Sequence, residues 1–579
     1  MKKNLLSTAA MFAVAATVAW GGAVAADDSH GNGPDFGKHD NNGHDGDNDH
    51  HGGRPDEART ATPIKHLVVI FGENRSFDHY FATYPKAANL PGEPVFKAAG
   101  NTPKVNNLEH DYLLTNNPNY TNQANTPPTN PFRIDRTQAN TAGQNHAYTA
   151  EQEAYDNGQA DLFPKFTGNG TSGSVGVFGT KGMVMGYFDG NTVTAWWNYA
   201  QNFAMSDNAY TDSYGPSTPG ALHVISGQTN GAKIILPVGS TGVAGQTISD
   251  GAGGYTQTGD TDPAYDVCSS ATGQVLMTGK NVGDLLNAAD LTWGSFMGGF
   301  DLTATNANGT TGCARSTYSA VLGATKADYV QHHAWFQYYA STANPKHLRP
   351  SSIQAIGHST TPDGEAADPA NHGYDLNDFY AAVKAGNYPS VSYVKMQSYQ
   401  DAHPGNSDPL DEQEGVVSLI NFLQQQPDWK NTAVIITYDD SDGWYDHAYA
   451  TPTSSSYDAT ADQLNGAGIC GMGVSNQPQP DGLNGTRVNG RCGPGTRVPF
   501  LVISPYAKQN YVSHDRISQA SVVRFIEDNW LKGERLGGGS FDATAGSIED
   551  MFDFHQGDRD DKFLLDPTTG TVTANNQGH

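Results

Sequence analysis

Two continuous apolar segments, each followed at once by acidic residues, constrain the fold of this chain more than any other feature. The first, IKHLVVIF at residues 64–71, is followed by Glu73 and Asn74. The second, AVIITY at residues 433–438, is followed by a pair of aspartates. A β-branched run without polar alternation is typical of a strand buried on both faces, as in a parallel sheet. We therefore expect a central parallel sheet with polar groups at its carboxyl edge.

Two further apolar runs of this kind occupy residues 389–396 and 498–505. Helical patterns lie between the runs, at residues 411–429 and 518–533. Alternation of strands with helices predicts an α/β fold with a doubly wound, mostly parallel sheet. Residues 231–325 are rich in Gly, Thr and Asp, and we expect them to be a loop-rich insertion that forms a cap.

Both ends of the chain differ in composition from the region between them. Residues 1–25 contain two lysines, an Ala-rich apolar stretch and Ala-Val-Ala, which is the pattern of a cleaved signal peptide. Residues 26–61 have almost no apolar side chains, so we expect a disordered His/Asp/Gly-rich leader that serves as a solubilising tail or binds metal loosely. We expect the main domain at residues 62–555, a polar tail at 556–579, and export to the periplasm or the extracellular space.

Charge and cysteine content narrow the class of protein. The formal charge is −27 over 579 residues, which repels nucleic acid and anionic lipid surfaces at long range. We therefore expect no nucleic-acid partner, and no segment after the signal peptide is long and apolar enough for stable membrane insertion. The four cysteines suggest two disulfides in an oxidising compartment. Of the possible pairings, proximity favours Cys268 with Cys313 and Cys470 with Cys492.

The residues that follow the two apolar segments are candidate metal ligands. In an open α/β sheet, ligands bind outside the carboxyl ends of the strands. Glu73 and Asn74 would meet Asp439 and Asp440 there, and the carboxylates would repel one another unless a cation joined them. Taken singly, each pair could instead be solvated or cap a helix. A site of carboxylate, amide and hydroxyl oxygens admits Ca²⁺, Mg²⁺, Mn²⁺, Zn²⁺ or Fe, so the identity of the metal is left open.

A candidate nucleophile lies in the segment YGPSTPGALHVISGQT, residues 214–229. Ser217 and Thr218 stand just before an apolar helical run, where either hydroxyl could cap the helix. A serine at this position could also attack phosphorus, because the positive end of the helix dipole would hold phosphoryl oxygens beside it. Coordination to a metal would lower the pKa of the serine hydroxyl without a separate base.

Histidines supply what an in-line displacement at phosphorus still needs, namely donors to the non-bridging oxygens and an acid for the leaving group. His146, His332, His333 and His403 lie in loop-like segments beside aromatic and acidic residues. Any one of them could equally be a structural histidine that is satisfied by its neighbours.

Six segments together resemble a known family. They are, in order, IKHLVVIFGENRSFDHYF, GPSTPGALHVISG, HHAWFQYYASTANPKHLRP, DAHPGNSDPLDEQ, ITYDDSDGWYDH and GTRVPFLVISPYAK. Over roughly residues 62–555 the chain resembles the bacterial phosphoesterase family that contains non-haemolytic phospholipases C and metal-dependent secreted acid phosphatases of the acid phosphatase A type. The His-His and Asp-Asp-Ser-Asp-Gly-Trp stretches are more similar to the acid phosphatase branch.

This resemblance implies an alkaline-phosphatase-like core with one metal and a serine nucleophile, Ser217. By motif matching, the metal ligands would be Glu73, Asn74, Ser217, Asp439 and Asp440. The phosphate would be surrounded by His146, His332, His333 and His403. Many relatives have Thr in place of this serine, within the motif Gly-Pro-Thr-x-Pro-Asn-Arg. Here Gly220-Ala221 replaces Asn-Arg, which removes an arginine near the phosphate.

We therefore expect an exported, metal-dependent acid phosphatase that hydrolyses small phosphomonoesters through a phosphoserine intermediate. The alternative within the same chemistry is a phospholipase C that acts on phosphodiesters of phospholipids. From a different class, the chain could be an exported metal-binding or solute-binding protein without turnover. A histidine phosphatase would need Arg-His-Gly-x-Arg, and a sulfatase would need an arginine where Ala221 stands, so neither class fits. The oligomeric state is left open.

Overall fold

A computed structural model describes residues 59–575 with gaps at 111, 237–245, 252, 271–272, 457, 459, 472–490 and 556–561. These residues fall within one compact unit, Gly52–His579. The expected signal peptide at 1–25 and the leader up to residue 58 lie outside the described residues. The same holds for residues 556–561 and 576–579 of the expected tail. The domain boundaries at 62 and 555 stay predictions.

Eight strands form the central sheet. In chain order they are β1 (His66–Gly72), β2 (Ala204–Ser206), β3 (Trp293–Met297), β4 (Gly373–Asp375), β5 (Val391–Lys395), β6 (Thr432–Tyr438), β7 (Phe500–Ile503) and β8 (Tyr511–Ser513). They lie side by side in the order β4-β3-β5-β1-β6-β7-β2-β8. Neighbouring strands are parallel except at β7, which runs antiparallel to both β6 and β2. The prediction of an α/β fold with a mostly parallel sheet is confirmed.

The strands β1 and β6 form the centre of this sheet. They pair in parallel over their whole length, from His66 opposite Thr432 to Gly72 opposite Tyr438. Every residue of both strands is buried, which explains why their sequences are continuous apolar runs. The last pair also fits closely, because a Cβ at position 72 would lie 2.5 Å from the Tyr438 ring. Both strands therefore end at the same level of the sheet.

Eight α-helices of five or more residues accompany the sheet in the described part of the chain. They are α1 (Phe77–Phe81), α2 (Tyr148–Tyr155), α3 (Thr194–Asn202), α4 (Ser217–Ser226), α5 (Val282–Ala288), α6 (Leu376–Lys384), α7 (Pro409–Leu423) and α8 (Ala520–Trp530). The helical patterns predicted at 411–429 and 518–533 correspond to α7 and α8. The helix α7 ends before Pro427, because the residue preceding a proline disfavours the helical conformation.

The range expected as one insertion, 231–325, is divided between two structures. A five-stranded sheet occupies its first part, with strands Asn230–Ile235, Thr247–Ser249, Tyr255–Gln257, Asp262–Pro263 and Gln274–Met277. The helix α5 and the strand β3 follow within the same range, and β3 belongs to the central sheet. We call the five-stranded unit the small sheet. The sequence of β3, WGSFM, has no β-branched residue, which is why no apolar run marks it.

The described part of the expected tail is not a loop. Phe563–Leu565 and Val572–Asn575 form an antiparallel hairpin. Side chains of α7 hold its first strand, since Asn421 donates to the Leu565 carbonyl at 2.7 Å and Gln424 to that of Phe563 at 2.9 Å. The hairpin also buries the side chains of Phe563 and Leu565 in the main core. The overall polar composition of the tail conceals this packing, because only a few apolar residues make it.

Both disulfides expected from proximity are present. Cys268 is bonded to Cys313, next to the small sheet, and Cys470 is bonded to Cys492. The second bond closes a loop whose residues 472–490 lie outside the described part of the chain. Among the described helices, none has the length and apolar character needed to cross a membrane.

A buried polar cluster joins four elements below the carboxyl edge of the sheet. The carboxylate of Glu412 in α7 accepts hydrogen bonds from the hydroxyls of Tyr80, at 2.7 Å in α1, and of Tyr438 in β6. Trp196 in α3 donates to the same Tyr438 hydroxyl at 2.9 Å. Burial raises the pKa of Glu412 to about 7. This carboxyl group therefore stays protonated in the folded chain at acid pH.

We expect this cluster to make the protein more stable in acid than at neutral pH. A carboxyl whose pKa rises from 4.5 to about 7 on folding stabilises fully below pH 4.5, and the contribution is lost as pH rises through 7. In Glu412→Gln, the fall in the free energy of unfolding between acid and neutral pH should shrink by about 2–3 kcal/mol. Urea denaturation at several pH values measures it. Glu414→Gln, at an exposed position of the same helix, is the control, and an unchanged pH profile in Glu412→Gln would contradict the prediction.

Candidate active site

The carboxyl ends of β1 and β6 bring together the four residues that the sequence placed there. Glu73, Asn74, Asp439 and Asp440 are each no more than 1% exposed. The backbone N–H of Asn74 donates to Asp439 Oδ1 at 2.7 Å. Asn74 has φ 63°, in the left-handed region that asparagine tolerates better than most residues. The chain thus turns sharply after β1 and directs both side chains toward the end of β6.

Ser217 lies at the beginning of α4 and reaches the same place. Its hydroxyl is 3.4 Å from Asn74 Oδ1 and 3.3 Å from Asp440 Oδ2. The alternative that Ser217 or Thr218 caps the helix through its side chain is wrong, because no side-chain cap of this kind forms. Asp260, from the small-sheet region, instead accepts a hydrogen bond from the backbone N–H of Thr218 at 3.0 Å. The serine hydroxyl is therefore directed at the strand-end residues.

Gly220 allows α4 to approach the end of β6. A Cβ at this position would lie 2.1 Å from the carbonyl oxygen of Asp439, closer than real Cβ contacts. This glycine is one of the two positions where the chain departs from the Pro-Asn-Arg motif of many relatives. Backbone contact between α4 and β6 brings Ser217 close to the strand-end carboxylates.

The four predicted histidines form one continuous group beside these residues. The ring centroids of His332 and His333 are 4.4 Å apart, those of His333 and His403 6.3 Å, and those of His403 and His146 6.5 Å. His146 Nε2 is 3.5 Å from Asn74 Nδ2, so the group reaches the end of β1. All the sequence-predicted site residues therefore share one region of the structure.

The surroundings assign different charge states to two of the histidines. Burial opposes protonation of His146, but Asp440 and Asp442 raise its pKa well above the ordinary value. The His146 Nδ1 is 3.2 Å from Asp442 Oδ1. For His333, burial and the neighbouring His332 lower the pKa well below the ordinary value. His146 is therefore a cation that can bind phosphoryl oxygens, whereas His333 is neutral.

Lys395 and Asp401 are among the charged residues of the site that were not predicted. Lys395, the last residue of β5, donates to Glu73 Oε1. Asp401 follows the same strand, and ligand atoms of Glu73, His333 and Asp401 all lie within 4.8 Å of one another. A signal was present, since a lysine is the last residue but one of the run 389–396 and Asp401 stands two residues before His403. The sequence does not show that β5 lies next to β1.

The donor atoms of the site fit a divalent cation. Among the described residues, neither Glu73 Oε2 nor Asp439 Oδ2 has a hydrogen-bond partner, although both are buried, and the same is true of Asp401 Oδ2. Burial and the facing Asp439 raise the pKa of Glu73 well above its ordinary value, and the same two causes raise that of Asp440. A cation would remove this repulsion and bind the unpaired oxygens. The carboxylate, amide and hydroxyl oxygens suit a hard or borderline metal.

Comparison with known proteins identifies the family. Residues 64–531 match the family described as Phosphoesterase family. The chain belongs to the phosphoesterase family. Over 487 residues this phosphoesterase is 24% identical to the Non-hemolytic phospholipase C of Pseudomonas aeruginosa, an alignment that covers 81% of the chain and 54% of that relative. The chain thus spans about half the length of this curated relative.

Two more relatives carry similar names. The phosphoesterase is 22% identical over 472 residues to Phospholipase C A of Mycobacterium tuberculosis, which covers 80% of the chain and 72% of that protein. A shorter stretch of 152 residues is 31% identical to Non-specific phospholipase C1 of Arabidopsis thaliana, which covers 25% of the chain and 24% of that protein.

Arg75 connects three parts of the phosphoesterase site. Its backbone N–H donates to the carbonyl oxygen of Asp440 at 2.9 Å, and its guanidinium donates to the carbonyl oxygen of Ala402. A third bond, of 3.0 Å, joins Arg75 Nη1 and His79 Nε2. Since Ala402 directly precedes His403, this one side chain fixes the histidine-bearing loop against the turn after β1.

A buried ion network fixes the loop that follows Asp440. Arg497 donates to Asp78 Oδ1 at 3.0 Å and to Asp446 Oδ1 at 3.1 Å, and His447 Nδ1 is 2.6 Å from Asp78 Oδ2. Burial opposes the charge of Arg497, but Asp446 and Asp78 raise its pKa above the ordinary value. Asp78, Asp446 and His447 also have metal-ligand spacing, yet the guanidinium supplies the positive charge there. This cluster supports the site without taking part in its chemistry.

Replacing Gly220 by alanine should disturb the contact between α4 and β6. The added Cβ would meet the Asp439 carbonyl at 2.1 Å, so one element must move, and we expect a loss of about 1–3 kcal/mol in the free energy of unfolding. Gly100→Ala is the control, because a Cβ there meets nothing within 4 Å. Urea denaturation of both variants measures the difference. Equal stability of the two variants would show that the contact is not as close as described.

Proposed function

We propose that this phosphoesterase is an exported, metal-dependent acid phosphatase that hydrolyses phosphomonoesters through Ser217. The observation that carries the proposal is the position of the Ser217 hydroxyl. It lies at the N-terminus of a ten-residue helix, is free of a capping role, and is within 3.4 Å of Asn74 Oδ1 and 3.3 Å of Asp440 Oδ2. Negative phosphoryl oxygens are stabilised at such a helix end.

The metal ligands in this proposal are Glu73, Asn74, Ser217, Asp439 and Asp440. When bound, a divalent cation supplies Lewis acidity that lowers the pKa of the serine hydroxyl and offsets the charge of the phosphoryl group. Lys395 keeps the Glu73 carboxylate oriented through its hydrogen bond to Oε1. Arg75 and the loop contacts described above hold the remaining ligands in place.

Ser217 Oγ forms a bond to phosphorus while the bond from phosphorus to the alcohol oxygen breaks, which gives phosphoserine. Hydrolysis of phosphoserine then releases phosphate. His146, held cationic by Asp440 and Asp442, donates to a non-bridging oxygen. His333 is neutral, so His403 is the better candidate to protonate the leaving alcohol. Its Nδ1 donates to the Pro404 carbonyl at 2.8 Å, which orients the ring.

Three wider features belong to the same proposal. The sheet would be of the alkaline-phosphatase-like type, which the serine at the carboxyl edge of a mostly parallel sheet supports. Export to the periplasm or the extracellular space is supported by the N-terminal sequence and the two disulfides. A net charge of −27 supports the absence of a nucleic-acid partner, and the local groups around Ser217 support a small phosphate ester as substrate.

A phospholipase C activity is the second candidate, and the names of the relatives favour it. The two activities differ in substrate, since a phosphomonoesterase hydrolyses p-nitrophenyl phosphate and a phospholipase C hydrolyses phosphatidylcholine. Rates on both substrates, measured with one metal-loaded preparation, separate them. A preparation that hydrolyses phosphatidylcholine vesicles and leaves p-nitrophenyl phosphate intact would replace the first proposal with the second.

Replacing Ser217 by alanine removes the nucleophile, so hydrolysis of p-nitrophenyl phosphate should fall by at least about 10³-fold. Steady-state kinetics measure the loss. Ser226→Ala is the control, because Ser226 is a buried serine at the far end of the same helix. The phosphorylated enzyme should be trapped with substrate by acid quenching in the control and be missing in Ser217→Ala. Full activity of Ser217→Ala would rule out the serine mechanism.

Chelation should remove both the metal and the activity, and adding back the correct divalent ion should restore them. Metal analysis of the purified protein identifies the ion. A chain shortened by residues 26–58 should behave in the same way, because the proposed ligands lie elsewhere. If the shortened chain loses its metal, the leader is the binding site, as expected for a binding protein without turnover. Hydrolysis that survives complete loss of metal would contradict the proposed mechanism.

A further inference from the structure

A cavity of about 460 Å³ lies beside the histidine group and opens to solvent. Its wall has two sides. Residues 144–148 and Asn169 form one side, and Gln246 with residues 258–260 forms the other. Pro216 closes the wall between them. The second side comes from the small sheet and its loops. The small sheet therefore takes part in forming the cavity.

The cavity meets the proposed phosphate site at one end. His146 lines the wall and has its Nε2 3.5 Å from Asn74 Nδ2. Pro216, also in the wall, immediately precedes Ser217 in the chain. A phosphorus atom attacked by Ser217 would therefore have the cavity next to it. The group that fits there is the alcohol portion of the substrate.

Most ligand pockets have mainly hydrophobic walls, whereas this wall is roughly half polar. Amide side chains come from Gln144, Asn145, Asn169 and Gln246. None of the described residues in the wall is a Leu, Ile, Val, Met, Phe or Trp, so the cavity has little to offer an acyl chain. The exposed amides of Asn145 and Asn169 instead suit an alcohol that carries further hydroxyls, because each can donate and accept hydrogen bonds, whereas both ends of the buried Gln144 amide are already bonded to the protein.

Asp260 makes the cavity negatively charged. No Lys or Arg is present among the described residues that line it, and Asp260 is its one carboxylate. Asp260 Oδ1 is held by the backbone N–H of Thr218 at 3.0 Å, which fixes the side chain next to the first turn of α4. A second anionic group on a substrate would be repelled here.

We infer that this cavity selects phosphomonoesters of small polyhydroxylated alcohols that are neutral or cationic, with Asp260 as the specificity residue. The inference rests on the proposed phosphomonoesterase function. Cationic alcohols gain an ion pair with Asp260, neutral ones gain hydrogen bonds, and anionic ones are disfavoured. Diacylglycerol gains little as a leaving group, because no Leu, Ile, Val, Met, Phe or Trp is among the described residues of the wall.

Three hexose-derived phosphates of similar size test the charge preference. They are glucosamine 6-phosphate, glucose 6-phosphate and 6-phosphogluconate, which carry a cationic, a neutral and an anionic leaving group in acid solution. We expect kcat/KM to decrease in that order, by roughly fivefold at each step, the effect of one unit charge near Asp260 in a solvent-exposed site. Ratios measured on one preparation do not depend on the fraction of enzyme that carries metal. Equal values for the three esters would overturn the inference.

Asp260→Asn locates the source of the preference. Asparagine keeps an oxygen for the Thr218 N–H but removes the charge. The ratio of kcat/KM for glucosamine 6-phosphate to that for glucose 6-phosphate should therefore fall to about one. The same ratio should stay unchanged in the control variant, Asp262→Asn. Asp262 is close in sequence but does not line the cavity; its carboxylate accepts from the Ser270 N–H at 2.6 Å. An unchanged ratio in Asp260→Asn would overturn the role of this residue.

Two further substrates distinguish failure of this inference from failure of the proposed function. If p-nitrophenyl phosphate is not hydrolysed by the metal-loaded protein, the phosphomonoesterase proposal fails and the inference fails with it. If p-nitrophenyl phosphate is hydrolysed and dispersed phosphatidic acid is preferred to glucose 6-phosphate, the function stands and the polar leaving group is wrong. Hydrolysis of glucosamine 6-phosphate in preference to phosphatidic acid supports both.

Discussion

Repulsion among buried carboxylates at the ends of β1 and β6 is the constraint on which the rest of the structure depends. Glu73, Asp439 and Asp440 are each 1% exposed and are brought together by the pairing of the two strands. Removing a carboxylate from water costs roughly several kcal/mol unless other charges and hydrogen bonds compensate. Lys395 and His146 provide part of that compensation, and oxygens remain unpaired after it. A bound cation would offset the remaining negative charge and bind the oxygens that have no hydrogen-bond partner in the described part of the chain.

Local charge, and not net charge, must attract an anionic substrate to this protein. The whole chain carries −27, so a phosphate ester is repelled at a distance. Close to Ser217 an anionic phosphoryl group is instead attracted, because a protonated His146, the start of α4 and the proposed cation all favour it. Arg75 and Arg497 do not share this task, since their guanidinium groups are buried and bonded to carbonyls and carboxylates of the supporting loops. The arginines stabilise the site and leave substrate binding to other groups.

Features encoded within one short segment could be predicted from the sequence, and features created by strand order could not. The runs that became β1, β5, β6 and β7 are apolar, and the pairs proposed as metal ligands follow two of them directly. The strand β3 has no such run, since its five residues are WGSFM. Lys395 bonds to Glu73 across 322 positions of sequence, and only the placement of β5 beside β1 makes this contact. Asp260 could not be predicted for the same reason, because it contacts α4 from a loop of the small sheet.

The pairing of β1 with β6 has a consequence for folding. Successive residues of a strand point to opposite faces, so a shift of one position would turn one pair of ligands away from the other. Only the register that places Gly72 opposite Tyr438 presents both pairs to the same point. A cation that needs both pairs would bind this register and no neighbouring one, and its binding energy would stabilise this register alone. If the protein folds after export, as proposed, metal availability would help to select the correct strand alignment before any substrate arrives.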